Sequence, residues 1–195
     1  MSTKLQVSDL LGLEQYARQR ADLRQQIIAH KKLRTVQVGP NTTWCFEDRE
    51  TVKYQIQEML RAERVFEVQG IQDELDAYNP LIPDGSNWKV TFLIEFPDEA
   101  ERRIALAKLK GIEARCWVQV AGFDPVYAIA DEDLERENAE KTSAVHFLRF
   151  ELTSAMAAAA KSNATINMGV EHPNYRHQLA PVPLVTRDAL VKDFS

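Results

Sequence analysis

Residues 88–96, WKVTFLIEF, constrain the fold more than any other stretch of this chain. Trp88, Val90, Phe92, Ile94 and Phe96 alternate with Lys89, Thr91, Leu93 and Glu95. A period of two places one set on an apolar face of a strand and the other on a more polar face. Such a strand belongs in a sheet with one side buried. Segments 35–38 (TVQV), 43–47 (TWCFE), 115–121, 126–130, 144–152 and 164–170 read as its companions. Gly39-Pro40-Asn41 and Gly122-Phe123-Asp124-Pro125 supply turns between consecutive strands.

Helical periods fill the intervals. After Gly12, the residues Leu13, Tyr16, Ala17, Leu23, Ile27 and Ile28 recur at three- and four-residue steps to about Lys32. Asp48 is placed to cap a helix over 49–65. Val52, Ile56, Met59, Leu60 and Phe66 form its inward stripe, and Tyr54, Gln57, Glu58 and Arg61 its other side. A helix over 70–78 stops at Asn79-Pro80, since the residue before proline disfavours helical backbone. Asp98 with Glu101 opens a helix that ends at Gly111. The acidic segment 131–141 is expected as a solvated helix, an alanine-rich helix follows Thr153-Ser154, and a last helix covers about 185–193.

Ile94–Ala100 and Phe150–Met156 both turn from a strand through a polar cap into a helix. The order β-α-β, β, β-α-β predicts an α+β fold with a mixed, mostly antiparallel sheet. Its two β-α-β units would form a ferredoxin-like core with N-terminal helices around it. At 195 residues the expectation is a single domain over 1–195, with residues 1–34 a helical arm packed on it.

Apolar residues are 45% and charged residues 27%, so wholesale disorder is excluded. No apolar run approaches the roughly 20 residues that span a bilayer. The start, MSTKLQVSDLL, lacks a secretion signal, which points to the cytoplasm. Cys45 and Cys116 lie far apart inside strands with no CxxC spacing, as expected of reduced, buried thiols. Segment 131–140, DEDLERENAE, carries six acids and one base, which alone accounts for the net charge of −5. Residues 14–34 carry six bases against two acids. One basic helix is a poor nucleic-acid footprint, so nucleic acid is disfavoured. It could instead complement the acidic segment of a second copy, a homo-oligomer.

The candidate chemistry is a set of side chains rather than a motif. No Gly-rich phosphate loop, nucleophile elbow or HExxH is present. His146 sits on the apolar face of strand 144–152, and Glu171, His172 and His177 lie just beyond strand 164–170. Together they offer nitrogen and oxygen donors suited to zinc or iron. The bland reading is a core histidine plus a turn organised by Pro173, Asn174 and Tyr175. On helix 49–65, Tyr54, Glu58 and Arg61 are catalytic candidates, with Glu58 as general base. A surface ion pair accounts for the same residues.

Four runs carry a resemblance: TVKYQIQEMLRAER at 51–64, ELDAYNPLIPDGSNWKVTFLIEFPD at 74–98, VYAIADEDLERENAEKTSAVHFLRFEL at 126–152 and GVEHPNYRH at 169–177. Over nearly its whole length the chain resembles a bacterial family of proteins of unknown function. Its members look to be encoded often beside a rubrerythrin and an iron–sulfur oxidoreductase. The resemblance implies a setting in peroxide or redox defence and a rubrerythrin-type redox partner. It carries over no catalytic residues. Two functions are therefore expected: an accessory or binding protein of a cytosolic redox system, or a small iron- or zinc-dependent protein using the His/Glu set.

Overall fold

The computed structural model describes residues 4–133 and 136–195. Its helices are α1 (Leu13–Leu33), α2 (Arg49–Glu63), α3 (Val68–Tyr78), α4 (Glu99–Lys108), α5 (Ser154–Lys161) and α6 (Leu184–Leu190). Its strands are β1 (Thr35–Gln37), β2 (Thr42–Glu47), β3 (Asn87–Ile94), β4 (Cys116–Val120), β5 (Val126–Tyr127), β6 (Ile129–Ala130), β7 (Val145–Glu151), β8 (Ile166–His172) and β9 (Tyr175–Leu179). The class is α+β, as the periodicities predict.

The sheet is where the structure departs from expectation. Strands β1-β2-β3-β7-β6 form one sheet and β5-β4-β8-β9 a second, and every named pairing is antiparallel. The single mixed sheet with a ferredoxin-like core is thereby corrected. Neither crossover returns to its own sheet, because α4 leads from β3 to β4 and α5 from β7 to β8. The reason is in the alternation itself. Strands buried on one face suit antiparallel sheets packed face to face, whereas parallel strands are buried on both faces. Trp44, Phe46, Trp88, Val90, Phe92, Leu148 and Phe150 from the first sheet share one core with Cys116, Val118, Val120, Ile166, Met168 and Val170 from the second. Trp44 stacks on Phe150 at 5.5 Å, and Trp88 meets Phe46 edge-on at 6.0 Å. A second apolar cluster, Val52, Ile56, Leu60, Leu75 and Ile82, holds α2 to α3.

Two local expectations also change. Among the described residues the acidic segment is no helix; Leu134 and Glu135 lie outside them. Asp131 adopts a left-handed φ of 50°, and the Asn138 side chain accepts from the amides of Glu140 and Lys141 in a tight turn. Those local bonds compete with a helix. Phe66 is 71% exposed instead of joining the α2 stripe, because left-handed Arg64 ends that helix first. Both cysteines are free, with Cys116 buried and Cys45 partly so.

One buried cation ties the chain ends together. Arg34 is 2% exposed and donates to the carbonyls of Phe46, Glu47 and Ala189 and to the carboxylate of Asp193. Asp48 lies 3.4 Å from Arg34 Nε, caps α2 through Glu50 and Thr51, and meets His30 at 2.6 Å. Burial pushes the Asp193 carboxyl up to about 6, against the opposing pull of Arg34. A raised acid favours the protonated folded state. Its stabilising effect is therefore full below the ordinary value near 3.8 and is lost as pH rises through about 6. Urea unfolding at about pH 4.5 and pH 7 should show this gain on acidification shrinking by ~1 kcal/mol in Asp193→Asn. Equal pH dependence in the two proteins would show that the carboxyl is not held up.

Candidate functional site

Of the three candidates on α2, Glu58 fastens that helix to α1, and Arg61 approaches Glu58 from within α2. Arg20 of α1 grips Glu58 with two bonds of 2.8 Å, Tyr16 donates to it at 2.7 Å, and Arg61 approaches at 3.4 Å. Chiefly through Arg20, the Glu58 carboxyl is held down to about 2, which makes it a poor base at neutral pH. Burial and Glu58 push the Tyr16 phenol up, so it stays a donor. Tyr54 lines a groove of about 520 Å³ between α1 and α2, together with Leu11, Leu23, Ile27 and Gln57. The buried polar groups of this groove are already used: Gln57 bonds both backbone groups of Leu11. The groove offers little unspent chemistry.

The four proposed metal donors are divided between sheets. His146 projects from β7 into the core, where Nδ1 lies 2.5 Å from Asp131 and Nε2 lies 3.0 Å from Thr142 Oγ1 and 3.1 Å from the Ser143 carbonyl. The other three belong to the second sheet. His172 uses both ring nitrogens on backbone, Nε2 donating to Lys110 O and Nδ1 accepting from Asn174 N–H. Glu171 faces the opposite side of β8 and accepts from the Tyr127 hydroxyl. His177 is exposed and lies against the Tyr175 ring at 4.6 Å. Among the described residues no group of three or more His, Cys, Asp or Glu is arranged to hold a metal ion.

The richest unspent site is one that the sequence reading passed over. The outer face of β2-β3-β7 carries Cys45, Glu47, Lys89, Thr91, Leu93, Phe147 and Arg149, and α2 and α3 roof part of it. Two hollows of about 450 and 320 Å³ lie beneath this roof, with Tyr78, Leu81 and Phe147 as a common wall. Volumes of this order suit a small organic molecule.

Lys89 stands out within the larger hollow. The register sets it directly opposite Arg149 on one side and Glu47 on the other. Like charges facing each other across strands cost stability. Arg149 is compensated, by two bonds of 2.8 Å to Glu132 and one of 2.6 Å to Glu151. Glu47 is engaged by the hydroxyls of Thr51 and Thr91. Lys89 has no hydrogen bond or ion pair among the described residues. Burial, then Arg149, holds its ammonium below the ordinary lysine value. The sequence signal was present: both cations occupy polar-face positions of alternating strands. Their meeting required the β3–β7 register.

Comparisons with known proteins follow the same lines. A family model described as protein of unknown function (DUF3501) matches residues 4–194. No curated protein matches the chain. A crystal structure of a novel protein of unknown function from Burkholderia pseudomallei K96243, at 1.90 Å resolution, is 51% identical. It covers 98% of this chain and 100% of its own, with a TM-score of 0.94.

The histidine geometry separates two substitutions. His172→Ala leaves the Lys110 carbonyl and the Asn174 amide unpaired near the core and should destabilise by about 1–3 kcal/mol. His177→Ala should cost about 0.5 kcal/mol or less, as expected of an exposed side chain. Urea midpoints measure both, and equal costs would contradict the assignment of His172 as a backbone anchor.

Proposed function

We infer, from the premise that the chain belongs to the DUF3501 family of proteins of unknown function, that it is a binding protein with its ligand between the sheet and α2–α3. The observation that carries this reading is an unpaired, half-buried Lys89 in a hollow walled by Tyr78, Pro80, Leu81 and Phe147. The Lys89 ammonium opens on that hollow instead of meeting a protein partner, so the polar group of a ligand would complete its contacts. The fitting occupant has a flat or branched apolar body and one polar group at the lysine.

The setting we propose is the cytosolic redox and oxidative-stress system, with a rubrerythrin-type protein as partner. Its support is the gene neighbourhood implied by the resemblance. No helix of the described residues is long and apolar enough to cross a membrane. Residues 4–194 are taken as one unit, supported by the bond from Arg34 after α1 to Asp193 near the end of the chain. The alternative, an iron- or zinc-dependent protein built on His146, Glu171, His172 and His177, has less support. The ring nitrogens of His146 and His172 already face partners.

The neutral dye N-phenyl-1-naphthylamine tests the cleft. The folded protein should bind it, and Leu81→Trp, which fills the common wall, should weaken binding about tenfold, or ~1.4 kcal/mol. Unchanged dye binding in a variant with native circular dichroism would remove the cleft. The setting has its own test: a bacterial strain lacking the protein should die faster in hydrogen peroxide than its parent, and equal survival would remove it.

A further inference from the structure

We propose that Lys89 is a nucleophilic amine that captures an aldehyde or ketone as a Schiff base in this hollow. The inference rests on the cleft reading and names the class of molecule that the cleft takes.

Charge decides between a carbonyl compound and an anion. The groups facing Lys89 are Arg149 of β7, Glu47 of β2, Glu132 and Asp133 from the segment after β6, Asp84 in the turn before β3 and Glu151 at the end of β7. Acids outnumber bases there, so the hollow offers an incoming anion little attraction. A neutral carbonyl meets no such penalty. None of these carboxylates closes on the Lys89 nitrogen, because Arg149 holds Glu132 and Glu151, and Thr51 and Thr91 hold Glu47. Burial first and the facing Arg149 second favour the neutral, nucleophilic form of the amine, and they outweigh the opposing pull of Glu132, Asp84 and Glu151. The apolar walls Tyr78, Leu81 and Phe147 accept the rest of the molecule.

The chemistry is a condensation with no change of oxidation state. The nitrogen lone pair attacks the carbonyl carbon, the C=O pair moves to oxygen, and one proton passes from nitrogen to that oxygen. The carbinolamine then loses water as the nitrogen lone pair forms C=N. Water enters and leaves through the open hollow, and no oxidant or reductant takes part.

The test is reductive trapping on the full chain. With benzaldehyde and sodium cyanoborohydride near neutral pH, peptide mapping should find a benzyl group on Lys89 several-fold faster than on exposed Lys32 or Lys141. Arg149→Met, which removes the adjacent cation, should slow trapping several-fold. Trapping on Lys89 no faster than on Lys141 overturns the inference. Lys89→Arg separates the two claims. If that variant still binds the dye while wild-type Lys89 fails to trap, the cleft stands and the amine chemistry falls. If dye binding at the cleft is absent as well, both fall.

Discussion

Burial on only one face of the five-stranded sheet is the constraint from which the rest of the structure follows. The inner face is filled by large aromatic rings that interlock with the second sheet, Trp44 on Phe150 and Trp88 against Phe46. Burying such rings contributes several kcal/mol each and leaves no room for helices on that side. Both crossover helices must therefore pass between sheets, and the N-terminal helices must cover the outer face. They cover it incompletely. The space left beneath them is the cleft, and it is lined by polar residues of the same strands.

The charged residues divide by whether they have found a partner. Arg34 spends its guanidinium on three carbonyls and Asp193, joining β1 and β2 to the end of the chain. Glu58 is spent on Arg20 and Tyr16, joining α1 to α2. The acidic run, which its composition assigns to a solvated helix, spends carboxylates inward: Asp131 on His146 and Arg136, and Glu132 on Arg149. These pairings are architectural. They also weaken the case for the run as a docking surface for the basic helix of a second copy. Lys89 is the contrast, a cation in a hollow whose neighbours are engaged elsewhere.

Element by element, the sequence was legible wherever the signal is local. Alternation marked strand 88–96 and its companions, Asp48 and Asp98 marked helix starts as caps, and Asn79-Pro80 marked a helix end. The failures share one physical origin. Charge and composition assign the acidic run to a helix, but His146 of β7 and the nearby Arg136 both bond Asp131, which takes a left-handed φ, and local turn bonds at Asn138 compete with a helix as well. The sequence leaves His172 open between a ligand and part of a turn beside Pro173, and in the fold its ring nitrogens bond Lys110 and Asn174. A histidine's role is set by what surrounds it.

Local signals in the chain carry the class, most of the helices and strands and the one-sided burial of the strands, and they contain no motif that dictates a reaction; they miss β9, join β5 to β6 and place a helix in the acidic run. Periodicity and capping are properties of neighbours along the chain, so one chain carries them in full. Tertiary structure alone decided that the strands form two antiparallel sheets, that His146 and His172 bond groups of the scaffold, and that Lys89 faces Arg149 across β3 and β7. Those facts depend on register and on which sheet each crossover enters. Register is the balance of contacts between residues tens of positions apart.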